Sequence, residues 1–351
     1  MKKNLKIGIT HGDINGVSYE IILKILSDDR ILECCTPIIY GSPKVLAFYK
    51  KMLEVGNLNY TVVKTPAEAY ARRIYIINCC PDEVKVDVGK QTPEAGTFAL
   101  NALEAAAADL KAEKIDALVT APINKNNIQS EKFHFPGHTE YLEKLAGNQS
   151  VMMLISDSVR VALATNHVPV KKISENITKD LIIKKIKLLH ESLVQDFAIT
   201  CPRIAVLGLN PHSSDNGLLG DEEKNIIKPA VDSANSQGIT CIGPLSADGF
   251  WGSGAFASYD AILAMYHDQG LAPFKALFQD TGVNFTAGLP FVRTSPAHGT
   301  AYDIAGKNCA DSNSFLQAIY MAIDIIKNRQ MHKESSANPL KVNIDVVEEK
   351  I

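Results

Sequence analysis

Short β-branched runs that alternate with longer helical stretches constrain this chain more than any other feature. The strand-like runs are "LKIGIT", "PIIYG", "RIYIIN", "IDALVTAP", "SVMMLIS", "RVALATNH", "RIAVLGLNP" and "DAILAMYH". Between them, "EAGTFALNALEAAAADLKAEK" is rich in helix-forming alanine and leucine, and "ITKDLIIKKIKLLHESLVQD" repeats apolar residues at helical intervals. Such alternation calls for a mainly parallel sheet whose strands are joined by crossover helices, so the expected class is α/β. With 351 residues, 46% of them hydrophobic, the chain has material for two domains and a large core. There is no internal repeat and no Ser/Gly tether, so ordinary turns must join the parts. No G-x-G-x-x-G follows an early strand, which disfavours a Rossmann cofactor site.

Charge and targeting signals narrow the partners. The 36 basic and 39 acidic residues nearly cancel, leaving no global field that would draw nucleic acid or an anionic membrane; any anion must be bound locally. The apolar run in "MKKNLKIGIT" is too short for a signal peptide and no later run is long enough to span a bilayer, so the expected compartment is the cytoplasm. Seven cysteines include the adjacent pairs Cys34–Cys35 and Cys79–Cys80, without the two-residue spacing of zinc ribbons, and read as buried reduced thiols. The polar tail "NRQMHKESSANPLKVNIDVVEEKI" is expected to be mobile or to add an edge strand.

Three strand candidates run into a histidine: "VALATNH" at His167, "AVLGLNPH" at His212 and "ILAMYH" at His267. Open α/β sheets bind ligands beyond the carboxyl ends of their strands, so three imidazoles there could share a divalent ion. The plainer reading, three separate hydrogen-bonding histidines, stays open on spacing alone. After His267 come Asp268, an apparent break at Gly270, and Lys275. "PGHTEYLEKLAG" sets His138 and Thr139 at the start of a helix, with Thr139 a candidate cap, where free amides favour an anion. In "NPHSSDNGLLGDEE" the acidic residues are explained by capping a following helix. "GVNFTAGLPFVRTSPAHGTAYDIAGK" is dense in glycine and proline and carries Asn284, Arg293, His298 and Asp303. Arg293 offers a planar fork for phosphate or carboxylate and Lys275 a second positive charge, although each could equally form a surface ion pair.

In order and spacing, "DALVTAPINK", "FPGHTEYL", "YDAILAMYHDQGLAPFK" and "VN.T.GLPFVRTS..HGTAYDIAGK" resemble the 4-hydroxythreonine-4-phosphate dehydrogenase family over nearly the whole chain. The resemblance implies two α/β/α domains around a cleft, as in the isocitrate and isopropylmalate dehydrogenases. Residues 1–125 plus 283–351 would form the cofactor-side domain, and 126–282 the metal, substrate and dimerisation domain. It implies a homodimer with a shared active site, one divalent metal (Zn, Mg or Co) on His167, His212 and His267, and NAD, with NADP the alternative, as cofactor. His138, Thr139, Lys275, Asn284 and Arg293 would bind substrate, and Gly299, Thr300, Asp303 and Ile304 the cofactor. Asp248, Asp268 and Lys125 are the candidate general bases. The implied reaction converts 4-phosphooxy-L-threonine to 2-amino-3-oxo-4-phosphobutanoate, which decarboxylates to 3-amino-2-oxopropyl phosphate on the way to pyridoxal 5'-phosphate. A phosphorylated sugar-acid dehydrogenase and, in another class, a metal-dependent phosphohydrolase are the competing readings. One assembly to be tested has His267 of one subunit joining His167 and His212 of the other. The chain departs from the family at "GDINGVSYE", where "GDPAGIGPE" is usual, at Asn166, where threonine is common, and at Ala297, where aspartate is common.

Overall fold

The computed structural model describes residues 4–56, 58–131 and 133–338. Twelve strands form a single sheet: β1 (Leu5–Thr10), β2 (Cys35–Gly41), β3 (Tyr60–Val63), β4 (Ile74–Asn78), β5 (Ala117–Thr120), β6 (Val151–Ile155), β7 (Arg160–Leu163), β8 (Ile204–Leu207), β9 (Cys241–Leu245), β10 (Ala261–Ala264), β11 (Val283–Ala287) and β12 (Val292–Pro296). Their spatial order is β3-β4-β2-β1-β5-β12-β11-β6-β7-β10-β8-β9. From β3 to β12 every pairing is parallel, and so is every pairing from β7 to β9. Between these blocks β12, β11, β6 and β7 run antiparallel to one another in turn.

The expected α/β class is what the chain adopts, and the burial pattern shows why. All seven residues of β2 and all those of β5, β6, β8 and β10 are buried, as strands covered by helices on both faces must be. The Ala/Leu-rich stretch becomes the helix Pro93–Lys111, with the Thr92 side chain accepting from the Ala95 amide and proline at the first helical position. The second expected helix spans Lys179–Gln195, capped likewise by Thr178.

Several local expectations are corrected. Gly270 is no break: it lies inside the helix His267–Phe278, where an added Cβ would stand 2.7 Å from Val161 and 2.9 Å from Ala264. Glycine lets this helix lie directly on β7 and β10. The Gly/Pro-dense stretch after residue 282 holds two buried strands, β11 and β12. Only Cys35, Cys80 and Cys241 of the seven free thiols are buried, while Cys34, Cys201 and Cys309 are exposed. The start of the polar tail continues the helix Asn313–Ser336, and the part expected to be mobile or an edge strand lies outside the described residues from 339 onward.

Candidate active site

The strands β7, β10 and β8 are parallel neighbours, so their carboxyl ends open on one side of the sheet. His167 follows β7 and His267 opens the helix after β10; their rings come to 6.0 Å between centroids. Each ring is turned by a carboxylate. His167 Nδ1 lies 2.8 Å from Glu140 Oε1, and His267 Nδ1 lies 2.7 Å from Asp268 Oδ1. That leaves the Nε2 atoms as donors toward the cleft, the usual arrangement for metal-binding imidazoles. Lys125 Nζ stands 3.4 Å from His167 Nε2. Two imidazoles so presented fit two ligands of a divalent ion.

The third histidine does not join them in this chain. His212 to Asn216 form five successive residues with left-handed backbone, φ from 44° to 65°. Such residues cost about 1–2 kcal/mol each, so the turn must be held. Glu223, 3% exposed, anchors the segment that leads into it: Oε1 accepts the Leu209 and Asn210 amides at 2.7 Å each. Capping is therefore not the work of this acid. The turn carries His212 to a separate hollow beside Lys224, Lys228 and Pro244. Among the described residues no group of three His, Cys, Asp or Glu could hold a metal ion. The assembly in which His267 is separated from His167 is also at odds with this geometry, because those two share one chain's cleft.

Beside the two imidazoles, a cleft of about 260 Å³ takes in His138, Thr139, Lys275, Asn284 and Arg293, all five of the expected substrate contacts. Arg293, on β12, is 2% exposed. Its Nε and Nη2 donate to Thr120 Oγ1 at 3.1 and 2.6 Å, and Nη1 donates to Thr286 Oγ1 at 3.4 Å. Among the described residues no carboxylate hydrogen-bonds to this guanidinium. Burial pushes its pKa down to about 9, against the pull of Glu140. Burial likewise holds His138 well below the ordinary imidazole value, assisted by Arg293 and Lys125. Burial would raise the Glu140 carboxyl, but the hydrogen bond from His167, the backbone amide of Glu140 itself and the nearby His167 and Lys125 together outweigh it and leave that pKa lowered. Among the described residues, four buried polar atoms of cleft residues make no hydrogen bond: His138 Nε2, Glu140 Oε2, Asn284 Oδ1 and His298 Nε2. Native interiors seldom leave such atoms unpaired, so these four are open to a polar ligand. Thr139 is not a cap; Gly137 holds that position, and the Thr139 hydroxyl meets Thr286 Oγ1 at 3.4 Å.

The three base candidates separate. Lys125 lines the cleft; Asp268 is spent on His267; Asp248 is exposed and bonded to Ser246, within electrostatic reach of His212. Of the cofactor candidates, Gly299 lines the cleft, an added Cβ there would meet nothing within 4 Å, and Asp303 is exposed. Thr300 and Ile304 serve packing as well: the Thr300 carbonyl accepts the Val17 amide at 3.0 Å, and Ile304 rests on the core. Tyr302 ties the same loop to Asp13 of the "GDINGVSYE" segment at 2.7 Å. Glu140, Thr120 and Thr286 were missed by sequence reasoning. Glu140 adjoins the singled-out His138 and Thr139, and Thr120 closes a recognised strand, but neither has a signature apart from its partner.

Residues 33–322 match the family model described as pyridoxal phosphate biosynthetic protein PdxA. The chain is 58% identical over 344 residues to the 4-hydroxythreonine-4-phosphate dehydrogenase of Bacteroides thetaiotaomicron, covering 97% of this chain and 94% of that protein. It is 39% identical to the D-threonate 4-phosphate dehydrogenase of Cupriavidus necator, covering 92% and 98%. A crystal structure of 4-hydroxythreonine-4-phosphate dehydrogenase from Klebsiella pneumoniae, 32% identical, is similar with TM-score 0.79 over 92% of this chain and 98% of that one. A terephthalate 1,2-cis-dihydrodiol dehydrogenase from Burkholderia xenovorans, 23% identical with TM-score 0.61, shares the fold.

Proposed function

The chain belongs to the pyridoxal phosphate biosynthetic protein PdxA family and is an oxidoreductase, and from that premise we propose that it oxidises the C3 hydroxyl of 4-phosphooxy-L-threonine, the resulting β-keto acid then losing CO2. The observation that carries this reading is Arg293, buried without a carboxylate partner and opening on the same cleft as His167 and His267. A guanidinium so placed is stabilised by an anionic ligand and positions it rigidly, because Thr120 and Thr286 already fix the fork. His138, Thr139 and Asn284 supply neutral hydrogen-bonding groups around the phosphate, and Lys275 adds charge at the exposed rim. With the phosphate anchored, C3 lies toward the two imidazoles, and binding energy from the phosphate orients the reacting carbon.

His167 and His267 of one subunit, with His212 of the partner subunit, would hold the divalent metal, Zn, Mg or Co. The ion supplies Lewis acidity for the negative charge that develops at the C3 oxygen, and NAD, with NADP the alternative, supplies the hydride acceptor. Lys125, whose Nζ already lies in the cleft, is assigned to receive the C3 hydroxyl proton when it is present as the free amine, with Asp248 of the partner subunit arriving alongside the partner's His212. Gly299 and Asp303 face the cofactor, while Thr300 and Ile304 shape its loop. The two-domain division at residues 125 and 283, a homodimer and a cytoplasmic place of work belong to the same proposal. No described helix is long and apolar enough to cross a membrane.

A second substrate is favoured by one feature. The sole carboxylate among the described residues lining the cleft is Glu140, with Oε1 engaged by His167, so a substrate ammonium finds only its Oε2. D-Threonate 4-phosphate, which carries a hydroxyl there, is therefore the alternative to assay. Purified protein with Co2+ and NAD+ or NADP+ should form NADH or NADPH with 4-phosphooxy-L-threonine. Turnover of D-threonate 4-phosphate alone would install the second reading, and release of inorganic phosphate without reduced cofactor would replace both with a phosphohydrolase.

A further inference from the structure

Among the described residues, the side-chain partner of Glu140 is a histidine on another element. It stands in the first turn of the helix His138–Ala146, 27 residues before His167, and its side chain is 23% exposed. Oε1 meets His167 Nδ1 at 2.8 Å, while Oε2 is buried and makes no hydrogen bond. A carboxylate with one oxygen buried and unpaired is costly unless the group held by the other matters, and among the described residues that group is His167. On the far side of the ring, Lys125 Nζ lies 3.4 Å from Nε2. A carboxylate, which can only accept, at Nδ1 selects the neutral tautomer with the proton on Nδ1. His267 differs: its carboxylate is its chain neighbour Asp268, whose side chain is 84% exposed.

We propose that Glu140 is a positioning residue that holds His167 in its Nδ1–H tautomer and fixes the ring so that the Nε2 lone pair points into the cleft. The inference deepens the proposed metal-dependent reading and rests on it only for its affinity arm. The tautomer itself is a property of the chain.

Long-range 1H–15N spectra of the full-length protein, labelled with 15N-histidine and stripped of metal, read the tautomer directly; comparison with His167→Asn assigns the signal. His167 should show a protonated Nδ1 and an unprotonated Nε2, and Glu140→Ala should lose that preference. Co2+ affinity, measured by competition with a chromophoric chelator, should fall about 10- to 100-fold in Glu140→Ala. Asp268→Ala should lose at most about fivefold, because an exposed carboxylate contributes little. Glu140→Asp, which keeps the acceptor, should retain the tautomer and regain part of the affinity. An unchanged His167 pattern together with unchanged Co2+ affinity in Glu140→Ala would overturn the assignment. A shifted tautomer with no Co2+ binding in any protein, wild type included, would support the role of Glu140 and remove the metal reading instead.

Discussion

Arg293 and His212 stand at opposite extremes of the chemistry gathered at this end of the sheet. Arg293 is 2% exposed on a strand in the middle of the sheet, with two threonine hydroxyls fixing its fork. His212 rides an exposed left-handed turn, entered from a segment that Glu223 anchors and aimed at a hollow away from the cleft. The first has its fork fixed within one chain. The second stands on five left-handed residues, a backbone conformation that persists where a fold has reason to hold it. On the proposed reading, phosphate recognition would be an intrachain property, whereas metal binding would be finished by a second subunit.

The largest effect should fall on the imidazoles. His267→Ala should lower kcat/KM at least about 100-fold, because Lewis-acid stabilisation is worth several kcal/mol, while thermal stability changes little at this half-exposed position. A variant retaining full activity after chelator treatment would show that no metal is needed. Next in size, Arg293→Met should reduce kcat/KM for phosphorylated substrates roughly 30-fold or more, the loss of a buried charge contact being worth about 2–5 kcal/mol. Without ligand the same variant should be as stable as wild type or more so, since replacing a buried charge with an apolar side chain is often neutral or favourable. Melting curves with and without inorganic phosphate test this; a severe loss of stability in the absence of any anion would make Arg293 a structural residue.

Lys275→Ala should act more weakly. The side chain is exposed, so stability should move by no more than about 0.5 kcal/mol, while KM rises and kcat stays close to wild type. Unchanged KM would leave Lys275 outside the phosphate site.

A separate effect, on stability rather than turnover, is an acid sensitivity of the buried part of the molecule. Burial lowers His11 to about 4, opposed by its hydrogen bond to the Phe98 carbonyl, and lowers His138 as described. Both rings are neutral when folded, so below pH 6.5 the unfolded chain takes up protons that the folded chain refuses. Stability is whole above 6.5 and falls as pH drops from 6.5 toward 4, by at most about 1.4 kcal/mol per pH unit for each proton. His11→Asn should flatten the melting temperature across that window; an identical slope would assign the sensitivity to other groups.

What the sequence displayed depended on whether a residue's meaning is local. The eight short β-branched runs were legible because a strand buried on both faces must be apolar throughout. The strands β11 and β12 were not, because Gly288 and Pro290 between them read as loop, yet they carry Asn284 and Arg293. The substrate candidates were visible as polar side chains next to glycine- and proline-bearing stretches, although Lys275 proves to lie in a helix and Asn284 and Arg293 on strands. Their supports were hidden: Thr120 is 173 residues from Arg293, and Glu140 looks like any acid at a helix start. Three histidines at three strand ends suggested one ion, and adjacency of β7 and β10 brought two together. Nothing in "NPHSSDNG" announced that five residues would turn left-handed and carry the third away.

Mixing inactive variants tests the central claim, that each cleft is completed by His212 of the partner subunit. His167→Ala and His212→Ala, each inactive alone, are combined under conditions of verified subunit exchange. In a mixed dimer one cleft lacks both ligands and the other has all three, so activity should return to about one quarter of wild type for random reassortment with independent sites. His167→Ala mixed with His267→Ala should give no rescue, because those two belong to the same cleft in one chain. Rescue by the second pair and none by the first would contradict the shared site as drawn here.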